Sequence, residues 1–202
     1  MRKEKRIPRQ QRAIETKQHI VETAVRLFSD KGYHQTSSNE ISKEAGVSIG
    51  CFYSYFKDKK QLFIEAIHHY GNQVRIGMDS APVPERLSPD ADRETQIGEY
   101  IRTVIQAHKI NPAFHRELEA MSMMDEDIHR IIGEQEALDM ARFYDLLCLW
   151  RDEVKVDDLH AASALLFFTA EKIAHAVIFS ESPVPEERLV GELSRMILVY
   201  LF

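Results

Sequence analysis

The chain has 202 residues, 44% of them hydrophobic, with 26 basic and 32 acidic side chains. That length and apolar content suit one or two compact units with a sizeable core, and they exclude a disordered or low-complexity polymer. Two cysteines, Cys51 and Cys148, are too few for a disulfide scaffold and fit a reducing compartment. The net charge of −6 is uneven: residues 1–60 hold 13 Lys/Arg and 7 Asp/Glu, a balance of +6, while residues 61–202 hold 13 and 25, a balance of −12. One end is therefore suited to a polyanion.

In chain order, nearly every segment carries a helical period. The basic N-terminus (Arg2, Lys3, Lys5, Arg6, Arg9, Arg12) is not followed by an apolar stretch, so no signal peptide is expected. From Glu15, the stripe Ile20, Val21, Ala24, Leu27, Phe28 predicts a first helix that stops near Lys31-Gly32. Ser37 with Glu40 is a capping box for a short second helix ending at Gly46, and Ser48 caps a third through Phe52, Tyr53 and Tyr55. Asp58 with Gln61 opens a long fourth helix through Leu62, Phe63, Ile67 and Val74. Residues 80–89, with three prolines, read as a linker. Ser88-Pro89 then starts a fifth helix to about Ile110, Asn111-Pro112 a sixth to about Met124, and Asp125 a seventh past Trp150. Asp157 opens an eighth to Phe179, and Pro183 and Pro185 precede a ninth that ends at Phe202. No segment alternates like a strand, so the expected class is all-α, with a boundary near residue 60. The strongest apolar run, Ala164–Ala170, is far short of a membrane span, and a soluble, cytoplasmic protein is expected.

Thr36 to Lys59 has the spacing of a helix-turn-helix: two short helices separated by Ala45-Gly46-Val47-Ser48. Gly46 admits a left-handed turn, Val47 is placed to plug a small core with Ile41, Leu27 and Phe28, and Gly50 lets the third helix approach a phosphate backbone. Together with Lys31-Gly32-Tyr33, Phe52-Tyr53, Tyr55-Phe56 and Leu62-Phe63, this stretch resembles the DNA-binding domain of TetR-family transcriptional regulators over roughly residues 13–65. The resemblance implies an all-helical homodimer of about nine helices: residues 1–60 bind DNA, residues 61–202 dimerise and bind a small effector. It places Thr36, Ser37, Ser48, Tyr53, Tyr55 and Lys59 near phosphates, and Asn39, Ile49, Gly50, Cys51 and Ser54 toward base edges. Ser38 and Ser42 depart from the apolar residue and alanine usual in the family, which loosens the second helix. Ile49, Cys51 and Ser54 offer no bidentate base contact, so specificity leans on Asn39, DNA shape and thymine methyls. The basic arm is either a solvated tail or a minor-groove or phosphate contact.

Beyond residue 60, no nucleotide loop, metalloprotease motif or catalytic constellation stands out, and neither enzyme activity nor a cofactor is expected. His115 and Glu119 share a helix face, but salt-bridging or hydrogen bonding suits them better than metal. Met121, Met123 and Met124 suit adaptable pocket walls. The candidate effector site takes Ile67, Val74, Met78, Tyr100, Val104, His108, Phe114, Leu118, Met121, Phe143, Tyr144, Leu147 and Phe167, with Tyr100, His108 and Tyr144 as polar anchors for an apolar or aromatic ligand. The eighth helix is apolar nearly all round and the ninth ends in an apolar run. Leu165, Phe168, Thr169, Ile173, Ala176, Met196 and Tyr200 are thus the candidate dimer interface, closing a four-helix bundle with their symmetry mates. The expected function is a homodimeric repressor on a palindromic operator, released when effector alters the spacing of two recognition helices. The alternatives are a DNA-binding architectural or protein-partner adaptor without effector, or an enzyme with an appended helix-turn-helix.

Overall fold

The computed structural model describes residues 9–79, 93–179 and 182–202, and among these it contains nine α-helices and no strand. They are α1 (Arg9–Lys31), α2 (Ser38–Glu44), α3 (Ile49–Tyr55), α4 (Lys59–Asp79), α5 (Arg93–His108), α6 (Pro112–Met124), α7 (Glu126–Leu149), α8 (Leu159–Ile178) and α9 (Glu186–Leu201). The expected linker at 80–89 and the arm residues Arg2, Lys3, Lys5 and Arg6 lie outside the described residues.

Local chemistry accounts for the helix ends. The Glu40 amide donates to Ser37 Oγ at 3.2 Å, the Cys51 amide to Ser48 Oγ at 3.1 Å and the Gln61 amide to Asp58 Oδ1 at 2.8 Å. Each of these caps satisfies an orphan donor of the first turn. Asp125 Oδ1 accepts from the Asp127 and Ile128 amides and so starts α7. Two boundaries differ from expectation. The α8 cap is Asp158, whose Oδ1 accepts from the Ala161 amide, rather than Asp157. The α7 helix stops before Trp150, where the chain turns and the Trp150 amide bonds the Leu147 carbonyl. Gly32 and Gly46 have φ of +81° and +64°, a left-handed conformation that a side chain would strain.

The chain forms two compact units, residues 1–70 with 113–129 and residues 71–112 with 130–202. The first compact unit extends past residue 60 into α4 and takes in α6, and aromatic packing is the reason. Phe28, Phe63 and Phe114 are fully buried and meet edge-on or tilted in a row, Phe28 against Phe63 at 5.2 Å and Phe63 against Phe114 at 5.8 Å, with Tyr70 against Phe114 at 5.6 Å. The first half of α4 and nearly all of α6 thereby join the core of the helix-turn-helix. In the second unit, α5 packs against α8 and α9. Gly98 permits the α5–α9 approach: a Cβ there would sit 3.2 Å from Ser194 Oγ. By length and mean hydropathy α8 would suffice to cross a membrane, but here Ala162, Leu166, Phe167, Ala170 and Ala174 bury one of its faces.

Candidate nucleic-acid interface and ligand cavity

The recognition element is held from below and open above. Phe52 of α3 and Phe56 at its C-cap are buried against one another at 5.5 Å, and this pins the helix. Around them Ser48, Ile49, Gly50, Tyr53 and Ser54 are exposed, Tyr53 by 55% and Ile49 by 39%, while Cys51 and Tyr55 are half-buried. Asn39 and Ser37 are exposed on and just before α2. Two hydroxyls are partly committed, with Ser37 and Ser48 accepting cap hydrogen bonds, and Ser54 Oγ donates to the Cys51 carbonyl at 2.6 Å.

Two of the residues expected at phosphates have other work. Thr36 is only 1% exposed, and its hydroxyl donates to the Gly32 carbonyl at 2.9 Å. Lys59 Nζ donates to the Tyr33 and Thr36 carbonyls at 2.7 and 2.8 Å and lies 4.1 Å from the Tyr33 ring centroid. Burial holds its pKa below the ordinary lysine value. Lys59 is therefore a clamp on the loop that carries Thr36, with one donor left over. Glu117 of α6 completes the clamp by accepting the Tyr33 amide at 2.6 Å. Val47 is half-buried rather than a core plug, and Ala45 takes the buried position. Ser42 is buried, and its hydroxyl donates to the Ser38 carbonyl at 2.7 Å, so the serine keeps its place without an unpaired oxygen.

Sequence reasoning passed over Lys43 and Lys57, which are exposed beside the motif and make no ion pair among the described residues. By contrast Lys17, Arg26, Lys31 and Lys60 are all paired, with Glu65, Glu44, Glu40 and Asp125 with Asp127. The signal for a free lysine was absent from the sequence because pairing depends on which acidic residues the fold brings near.

In the second unit a cavity of about 60 Å³ lies among α5, α7, α8 and α9. Of the thirteen residues named as candidate pocket walls, Tyr100, Val104, Phe143 and Leu147 line it. Met78 and Tyr100 line a more open cleft of about 480 Å³. Ile67, Phe114, Leu118 and Met121 instead belong to the first unit and pack its core. Val74 and Phe167 are buried in the second unit without lining the cavity, and Tyr144 stacks on His160 at 4.1 Å. His108 is buried and closed off. Its Nε2 lies 2.9 Å from Glu171 Oε1 and its Nδ1 2.8 Å from the Val104 carbonyl. Burial disfavours the charged ring, but the Glu171 carboxylate outweighs it, and His108 titrates above the ordinary histidine value. His115 Nδ1 lies 3.1 Å from the Tyr70 hydroxyl. The lining residues missed from sequence include Gln96 of α5 and Trp150, each with a buried polar atom that has no hydrogen-bond partner among the described residues.

The profile of "Bacterial regulatory proteins, tetR family" matches residues 20–66, and that of "Tetracyclin repressor-like, C-terminal domain" matches residues 94–201. The chain belongs to the TetR family of transcriptional regulators. These are DNA-binding regulators, not enzymes. The HTH-type transcriptional regulator AcrR of Shigella flexneri is 54% identical over 55 residues, 27% of this chain and 26% of that protein. The fatty acid metabolism regulator protein of Bacillus subtilis is 30% identical over 89 residues, 44% of this chain and 41% of that protein. The matched stretch thus spans less than half the length of these curated relatives. Among solved structures, a TetR-family regulator of Mesorhizobium loti superposes with a TM-score of 0.79 at 20% identity, covering 94% of this chain and 98% of that one. At that identity the likeness is one of fold.

Proposed function

We propose that this TetR-family member is a cytoplasmic, homodimeric repressor that occupies a palindromic operator and leaves it when a small apolar or aromatic effector binds the second unit. The observation that carries the reading is the two-sided recognition element: Phe52 and Phe56 lock α3, and Ile49, Gly50, Tyr53 and Ser54 are left open for DNA. Exposed apolar side chains support dimerisation. On α8 these are Leu165 and Phe168, the latter 60% exposed; on α9 they are Met196, Tyr200 and also Val199, which the sequence reading did not single out. Thr169, Ile173 and Ala176 are half-buried beside them. The apolar cavity supports an effector, and the Bacillus subtilis relative is a regulator of fatty acid metabolism. An adaptor role without effector is disfavoured because a domain that only docks partners gains nothing from unpaired buried polar atoms around an internal cavity.

Selection of bound sequences from random DNA is the test, followed by titration of the selected operator across salt concentrations. The expected product has two half-sites about 10–10.5 base pairs apart, centre to centre, bound by a dimer. Enriched sequences without two-fold symmetry would refute the dimeric reading. Removing residues 1–10 is expected to lower affinity and flatten its salt dependence, and unchanged binding would assign DNA contact wholly to the helix-turn-helix.

A further inference from the structure

The cavity of the second unit has walls that say what it accepts. Its space of about 60 Å³ is enough for a few water-sized groups, each of which needs about 10–15 Å³ on this measure. None of its lining residues is charged, and most are Ile, Leu, Val, Ala or Phe. Two of the lining residues, Gln96 and Trp150, each carry a buried polar atom. Gln96 Oε1 can only accept a hydrogen bond and Trp150 Nε1–H can only donate one, and neither has a partner among the described residues. Buried polar atoms are nearly always paired, so an acceptor and a donor left without partners among the residues that line one cavity mark a position for a ligand group.

Resting on the effector reading above, we propose that this cavity takes a neutral amphiphile whose head group donates to Gln96 and accepts from Trp150. A hydroxyl or primary carboxamide does both. A ketone satisfies Trp150 and leaves Gln96 open. A carboxylate also has no proton for Gln96, and it would bring a charge into a wall that holds no cation. An ammonium has no acceptor for Trp150. The tail has a route as well. Tyr100 and Leu146 line both this cavity and the open cleft of about 480 Å³, where Met78 and Leu149 are apolar and Asp79, Arg142 and Asp145 are charged. A chain too long for the inner space therefore passes between Tyr100 and Leu146 toward solvent.

Trp150 is the chain's single tryptophan, so its indole N–H gives one resonance that reads this site alone. The intact protein is titrated with 1-hexanol, 2-hexanone and hexanoate while that resonance is followed, and operator affinity is measured in parallel. The expected result is a downfield indole shift with 1-hexanol, which binds at least about fivefold tighter than the ketone or the carboxylate. In Gln96→Leu, 1-hexanol and 2-hexanone become equal. The head-group inference is overturned if the ketone or hexanoate matches the alcohol in the unaltered protein, if the alcohol preference survives in Gln96→Leu, or if none of the three moves the resonance. The two readings part cleanly. Equal binding with operator release breaks the inference and keeps the effector, whereas selective alcohol binding with unchanged operator affinity keeps the inference and breaks the effector.

Discussion

The two compact units differ in how completely they satisfy their own interiors. In the first, the buried Thr36 and Ser42 hydroxyls each find a carbonyl, and Lys59 and Glu117 tie down the Tyr33 loop. All the buried side-chain polar atoms left without a hydrogen-bond partner among the described residues belong to the second: Arg75 Nη1, Gln96 Oε1, Asp139 Oδ1, Arg142 Nη1 and Trp150 Nε1. Arg75 and Asp139 form only a loose ion pair at 3.5 Å, and burial raises the Asp139 pKa despite it. A surface that reads DNA must hold one shape, which closed hydrogen bonding enforces. An interior with open donors and acceptors has free energy to gain from a ligand that completes it.

The largest effect should come from the packed unit. Phe28→Ala removes a fully buried ring that touches Tyr33 and Phe63, and it is expected to cost about 3–5 kcal/mol in urea unfolding. A loss below about 1 kcal/mol would show a first unit as loosely determined as the second. Next is Lys59→Met, which deletes two charge-assisted hydrogen bonds to loop carbonyls. Its expected cost is about 2 kcal/mol, and operator affinity should fall as the loop slackens. The same kind of change in the second unit should act in the opposite sense: Gln96→Leu removes an unpaired buried acceptor and is expected to stabilise the protein by about 1 kcal/mol. Destabilisation there would erase the contrast between the units.

The smallest effect concerns His108. Its pKa is raised in the folded state, so the stability it contributes is fully present below about pH 6.5 and is lost as pH rises through the folded value. Melting temperatures followed from acid to alkaline pH should therefore show a decline that His108→Gln removes. A variant with the same pH profile as the parent would assign the decline to other groups.

Much of the helix-turn-helix was legible because its determinants are local. Ser37 and Ser48 cap helices three residues away, and Gly46 answers to its own φ. The internal bonds of Thr36 and Lys59 were not legible because burial is not local: a threonine beside a cap looks solvated until the Leu27 and Gly32 carbonyls accept its hydroxyl. The effector wall was only partly legible. Ile67, Phe114 and Met121 carry the same apolar signature as Phe143 and Leu147, and periodicity assigns each a buried face without saying which interior that face meets. The buried oxygen of Gln96 in α5 has no sequence signal, because a glutamine on a helix is ordinarily solvated.

The amino-acid sequence alone determined the helical class, the caps of α2, α3 and α4, the turn glycines, the family and the basic character of the first 60 residues, because each depends on neighbours within one or two helical turns. Only the tertiary structure decided that α6 joins the core of the helix-turn-helix, that Lys43 and Lys57 make no ion pair among the described residues while Lys60 holds two aspartates, and that one glutamine and one tryptophan beside a cavity keep a polar atom without a hydrogen-bond partner among those residues. Burial and pairing are set by residues tens of positions apart, and no window along the chain contains both partners.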